Sequence, residues 1–358
     1  MKPYKIILFI IAVFSLMASI GYLIPTEGIS IGTINITFPS PKEIMQNRKN
    51  NTYKPLVDIN TFFFGKETIL KQIKKEQLSE YTKKKRNVLS YKYSPSYPNN
   101  NVEWIFPVFE ALENAKSQKI RIIHYGDSQI EGDRMSNYLR TVLQKKFGGY
   151  GVGLIPAIQT IPSASIGQKC TKNLTRYLVY GSKNMRMSNQ NYGPLGQTTQ
   201  LLSSATFSFY NPNYNRTPEN TKHFNKITIL LDDIKDEVTA TLIIDDEQPL
   251  EPAQIGEYSI TFYLPDSTTK AEIQINGQTL IHGFMLDGSN IGIQLDNAPM
   301  RGCSGTIFTS INAKSLNCYY KVNTIPLIIL QFGGNSVPYT KSNKAITTYT
   351  KQLERQIK

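Results

Sequence analysis

Apolar positions fall into distinct textures along the chain. Ile6 to Ile24 form one uncharged apolar run, preceded by Lys2 and Lys5. About 20 such residues span a bilayer, so the run reads as a signal anchor with a cytoplasmic N-terminus and everything after Pro25 exported. The small-residue stretch MASIG leaves cleavage as a signal peptide open. From 26 to 100 proline, asparagine and charge dominate, which predicts a linker or stalk, with Lys74–Arg86 as an exposed helix or linker.

A different pattern starts near residue 101. WIFPVFEALENAKSQ has helical spacing, KIRIIHYG is a β-branched run ending in glycine, and EGDRMSNYLRTVLQKKFGG returns to helical spacing. In that helix Met135, Tyr138, Leu139, Val142 and Phe147 are expected to form the buried stripe, with Gly148 and Gly149 at the C-cap. Helix, apolar strand and helix predict one layer of a parallel α/β sheet over 101–157. Between 158 and 290 short alternating runs such as SATFSFY, KITILLDD and YSITFYLP are separated by turn-rich stretches, which predicts an inserted β-sandwich or jelly roll. The α/β texture resumes over 291–358, in NIGIQLDNAPMRGCSGTIF, IPLIILQFGGNSVP and a final helix.

Net charge of +13 would suggest nucleic acid in a cytosolic protein, but in an exported one it fits the anionic cell envelope. The three cysteines, Cys170, Cys303 and Cys318, make no disulfide framework or metal cluster, although Cys303 and Cys318 could pair in an oxidising compartment. No metal or organic cofactor is called for. The acidic clusters LDDIKDE and IIDDEQ read as solvated hairpin turns, with Ca²⁺ binding as the sharper alternative.

Three strand ends carry glycine-rich polar turns: Gly126-Asp127-Ser128, Arg301-Gly302-Cys303-Ser304-Gly305 and Gly333-Gly334-Asn335. In an open parallel sheet such turns converge at the carboxyl edge. A serine in the first turn of a helix presents its Oγ beside an unpaired N–H in positive potential, which suits an oxyanion. Gly302 could bring a second N–H close, and Asn335 a side-chain N–H. The bland readings are turn formation for Gly-Asp-Ser and Gly302, and capping for Asn335. Asp127 is expected to orient the turn and Asp133 to favour the helix N-terminus. His124 reads as a satisfied structural histidine rather than a base, and Cys303 as packing.

Gly126-Asp127-Ser128, the isolated Gly302 and Gly333-Gly334-Asn335 together resemble the first three blocks of the SGNH (GDSL-type) hydrolase superfamily. HYGDSQIEGD is similar to a bacterial envelope branch that includes peptidoglycan O-acetylesterases. The resemblance runs from Val102 to the C-terminus. It implies an α/β/α fold with a carbohydrate-binding-like β-sandwich inserted, Ser128 as nucleophile, and the Ser128 amide, Gly302 and Asn335 as the oxyanion hole. An O-acetylated envelope glycan would be the substrate, on the periplasmic or cell-surface side. The same acyl-serine could instead serve an O-acetyltransferase fed by a membrane-bound partner.

One departure stands against the match. The family's Asp-x-x-His block, which supplies the acid and base, has no counterpart, because His124, His223 and His282 do not follow an aspartate at that spacing. A serine without a base is a weak nucleophile. The expectation is therefore a C-terminally incomplete fold, from a truncated chain or a split gene, and an inactive glycan-binding pseudoenzyme is the non-catalytic alternative.

Overall fold

The computed structural model describes Ser19, residues 29–31 and 34–36, and 95–357 apart from 212–216, 233–236, 245–247, 267 and 289. Apart from Ser19, the expected signal anchor lies outside the described residues, as do most of 26–100 and parts of both acidic clusters. The chain divides into two units, Met1–Pro95 and Ser96–Lys358. The first contains the antiparallel pair β1 (Ile29–Ile31) and β2 (Ile34–Ile36). No helix among the described residues is long and apolar enough to cross a membrane.

The second unit is mixed α/β, with one parallel and two antiparallel sheets. Its chain begins with α1 (Phe106–Asn114), β3 (Lys119–Gly126) and α2 (Arg134–Phe147). Strand β4 (Tyr150–Ile155) follows, and then β5 (Gly167–Cys170), β6 (Thr175–Leu178), β7 (Gln197–Leu201) and β8 (Ser204–Tyr210). After the short α3 (Glu219–Lys222) come β9 (Lys226–Leu231), β10 (Thr239–Ile243), β11 (Gln254–Ile255), β12 (Ser259–Tyr263), β13 (Lys270–Asn276) and β14 (Thr279–Gly288). The chain then runs through β15 (Gly292–Pro299), α4 (Ala313–Tyr320), β16 (Leu327–Gln331) and α5 (Asn343–Ile357).

The parallel sheet has the order β15-β3-β16, with β3 central and paired on both sides. Ile120, Ile122 and Ile123 are almost fully buried, as expected of a strand covered on both faces. The antiparallel strands form a four-stranded sheet, β10-β13-β8-β5, and a larger sheet, β11-β12-β9-β14-β7-β6, with β4 also paired to β14. Alternate residues of β8 and β13 point inward, and Phe207 and Phe209 each meet Phe284 at 4.9 Å between ring centroids.

The larger antiparallel sheet is buried on its other side too. Leu154, Leu230 and Met285 join Ile123, Tyr125, Ala298 and Met300 in a second core. That explains why KITILL reads as a continuous apolar run rather than an alternation. Arg121 locks the same region. It is buried, donates two hydrogen bonds to Asp296 at 2.8 and 2.9 Å, and pairs with Asp287 of β14. Burial alone would raise the Asp287 carboxyl, but Arg121, Lys119 and Lys226 together hold it below its ordinary value.

Helix α2 departs from the sequence expectation. Its buried face is Ser136, Asn137, Arg140, Leu143, Gln144 and Phe147, while Met135 and Tyr138 lie exposed. The reason is polar. The Arg140 guanidinium, fully buried, binds the Asp133 carboxylate at 2.8 Å and the Leu295 carbonyl at 2.7 Å, and the Gln144 amide donates to the Ile293 carbonyl at 2.9 Å. Asp133 thus serves Arg140, and its side chain makes no capping bond to the helix. The cysteine pairing does not occur either: Cys303 and Cys318 are buried free thiols, and the Cys318 Sγ donates to the Ser315 carbonyl.

Candidate active site

Strand β3 ends at Gly126, where a Cβ would come to 3.0 Å from the Gln331 carbonyl oxygen and from the Ile130 side chain, so glycine fits most easily. Asp127 then caps a 3₁₀ turn, Ser128–Asp133, its carboxylate accepting the Gln129 N–H at 2.9 Å. Ser128 is the first residue of that turn, so its N–H has no acceptor within the helix. Its hydroxyl is exposed, and it makes no hydrogen bond among the described residues.

The neighbouring turns are tied to this one. The Met300 N–H donates to the Gly126 carbonyl at 2.7 Å, carrying the β15–β3 ladder one step past the strands. The Asp127 N–H donates to the Gln331 carbonyl at 3.3 Å, doing the same on the β16 side. Gly302 occupies the third position of a turn closed by the Cys303 N–H on the Met300 carbonyl at 3.0 Å. Its φ is +76°, and a Cβ there would meet nothing within 4 Å, so the demand for glycine is conformational.

Asn335 joins all three turns. Its Nδ2 donates to the Asp127 carboxylate at 3.2 Å and to the Cys303 carbonyl at 3.1 Å. The chain thus brings Asp127, Cys303 and Asn335 together at the carboxyl edge of the parallel sheet. Both hydrogens of the Asn335 amide are engaged in that tie, a constraint that the spacing of Gly-Gly-Asn did not reveal.

An ion pair missed at the level of sequence braces the arrangement from outside. The Arg301 guanidinium grips the Glu131 carboxylate through two hydrogen bonds, one of 2.9 Å from Nε, linking the Gly302 turn to the Ser128 turn. The two residues stand 170 positions apart, and no local pattern connects them. Behind them lies a cavity of about 250 Å³ lined by Glu131, Arg301, Asn297, Arg176 and Tyr180. Burial pushes the Tyr180 hydroxyl up to about 12, so it stays protonated.

None of the three histidines meets Ser128 among the described residues. His124 is buried between the Ser136 hydroxyl at 2.9 Å and the Gln331 side chain at 3.1 Å, and burial lowers its pKa. His282 is buried against the Thr198 hydroxyl at 3.0 Å, and His223 lies near Glu219. Cys303 is packing: burial raises its thiol pKa, and its sulfur accepts the Gly305 N–H at 3.3 Å. Among the described residues no group of three or more acidic, histidine or cysteine side chains could hold a metal ion.

No family model matches the chain, and no curated protein matches it. Among solved structures, one described as a peptidoglycan O-acetylesterase in action matches at 16% identity and a TM-score of 0.49, over 71% of this chain and 68% of that one. A family two carbohydrate esterase from Cellvibrio japonicus matches at 9% identity and a TM-score of 0.19, over 54% of this chain and 75% of that one. At these levels neither match carries an argument, and the functional reading rests on the site.

Proposed function

We propose that the chain is an exported serine esterase of the SGNH type, which removes O-acetyl groups from an envelope polysaccharide such as peptidoglycan. The observation that carries the reading is the Asn335 tie, which joins Asp127, the cap of the 3₁₀ turn that opens at the exposed Ser128, to the Gly302 turn. Ser128 Oγ attacks the acetyl carbonyl, and the sugar hydroxyl leaves as the acyl-serine forms. In this reading the Ser128 and Gly302 N–H groups donate to the developing oxyanion. Asn335 exchanges its Cys303 contact for the same oxygen as negative charge builds, because a charged acceptor outcompetes a carbonyl. Water then releases acetate.

The serine proton needs a destination. With no base at Ser128 among the described residues, turnover by this chain alone relies on solvent and is slow. That same observation favours a second reading, in which the chain binds acetylated glycan without turning it over. Hydrolysis of p-nitrophenyl acetate separates the two. The esterase reading expects activity that Ser128→Ala abolishes, and unchanged turnover in that variant would end the nucleophile assignment. No turnover, with acetylated glycan still bound, would support the second.

A further inference from the structure

A cleft of about 520 Å³ lies between the segment Gly334–Tyr339 and α5, and Gly302 and Asn335 both line it. Tyr339 also lines it, at 81% exposed the most exposed large hydrophobic residue among those described. A tyrosine left in water beside a cavity offers an apolar ring face with nothing packed on it.

Alongside Lys344, Ala345 and Tyr349, the remaining wall carries hydroxyls that are polar in a particular sense. The Ser336 hydroxyl donates to the Gly333 carbonyl, Thr340 to the Ser336 carbonyl and Thr348 to the Lys344 carbonyl. With their protons committed, these oxygens keep only acceptor lone pairs for a ligand. Gln352 adds an amide that can both donate and accept. An aromatic face with a set of acceptors complements a pyranose ring, which has an apolar C–H face and hydroxyl donors around its edge.

We propose that this cleft is a sugar subsite in which Tyr339 stacks on a pyranose ring of the glycan, beside the ring whose ester meets Ser128. The role of the second ring rests on the esterase reading, whereas binding of a sugar in the cleft does not. Titration of the purified chain with tetra-N-acetylchitotetraose tests it. The proposal expects measurable binding, weakened about fivefold to tenfold by Tyr339→Ala and changed by less than about twofold by Tyr339→Phe, which keeps the ring. Tyr263→Ala removes an exposed tyrosine from β12, outside the cleft, and leaves the affinity unchanged. Absence of binding, or a Tyr339→Ala variant with wild-type affinity, would overturn the subsite. So would self-association in sedimentation that Tyr339→Ala abolishes while oligosaccharide affinity stays put. Failure of the serine reading shows elsewhere, as p-nitrophenyl acetate turnover that survives loss of the Ser128 hydroxyl.

Discussion

Asn335 and Asp127, 208 positions apart, are joined by a 3.2 Å hydrogen bond that crosses the carboxyl edge of the parallel sheet. The bond matters because Asp127 also caps the turn that begins at Ser128. Loosening Asn335 therefore loosens the serine. Asn335→Ala is expected to lower turnover of p-nitrophenyl acetate about 100-fold and stability by about 1 kcal/mol. Asn335→Asp should be worse in a urea melt, since it sets a second carboxylate against Asp127.

The Arg301–Glu131 pair calls for a different outcome. Arg301 is largely exposed, so its loss is expected to cost at most about 1 kcal/mol of stability. Turnover should fall about tenfold or more, because the pair sets the Gly302 turn against the Ser128 turn. Arg301→Lys should not restore it, since a single ammonium cannot reproduce the two-pronged contact. Parallel melting and rate measurements check both halves.

His124 is the histidine nearest Ser128 in sequence, yet its ring nitrogens face Ser136 and Gln331. Replacement by Asn should lower the melting temperature and leave the pH profile of the remaining turnover unchanged. A profile that loses an inflection in His124→Asn would make it the base after all.

His282 gives the fold a pH dependence of known sign. Burial lowers its pKa to about 4, and its Nε2 has no partner among the described residues. The unfolded chain takes up a proton near the ordinary 6.5, before the folded one does, so stability falls as pH drops from there and the loss is complete near 4. At about 1.4 kcal/mol per pH unit the loss is on the order of 3 kcal/mol. Denaturant melts at about pH 7 and about pH 5 should differ for wild type and differ much less for His282→Asn.

Arg121 is the buried charge on which the two sheet systems agree. Asp287→Ala would leave it short of one carboxylate and should destabilise the unit by about 3–5 kcal/mol, measured by urea unfolding.

The contrast between β3 and α2 shows what the sequence made legible. Gly126-Asp127-Ser128 stood out because strand, glycine and helix follow within a few residues, and local chemistry dictates each. The buried face of α2 did not, because Arg140 is buried for partners supplied by Asp133, Ser165 and β15. Hydrophobic periodicity assigns arginine to water and cannot register a partner on another strand. Strand β4 was hidden differently. Gly151 and Gly153 have φ of +100° and +83°, and a Cβ on Gly153 would lie 2.1 Å from the Asp296 carboxylate. That close approach lets the Leu154 N–H reach Asp296 at 2.9 Å, and nothing in YGVGLI announces it. Tyr339 was passed over because one tyrosine in a loop has no periodic signature.

The esterase mechanism passes through an acetyl group on one hydroxyl, that of Ser128. Brief exposure to p-nitrophenyl acetate, an acid quench and peptide mass mapping would locate it. The prediction is a single acetyl group on the peptide containing Ser128, absent in Ser128→Ala. Acetyl groups on lysines alone, with an unmodified Ser128, would contradict it.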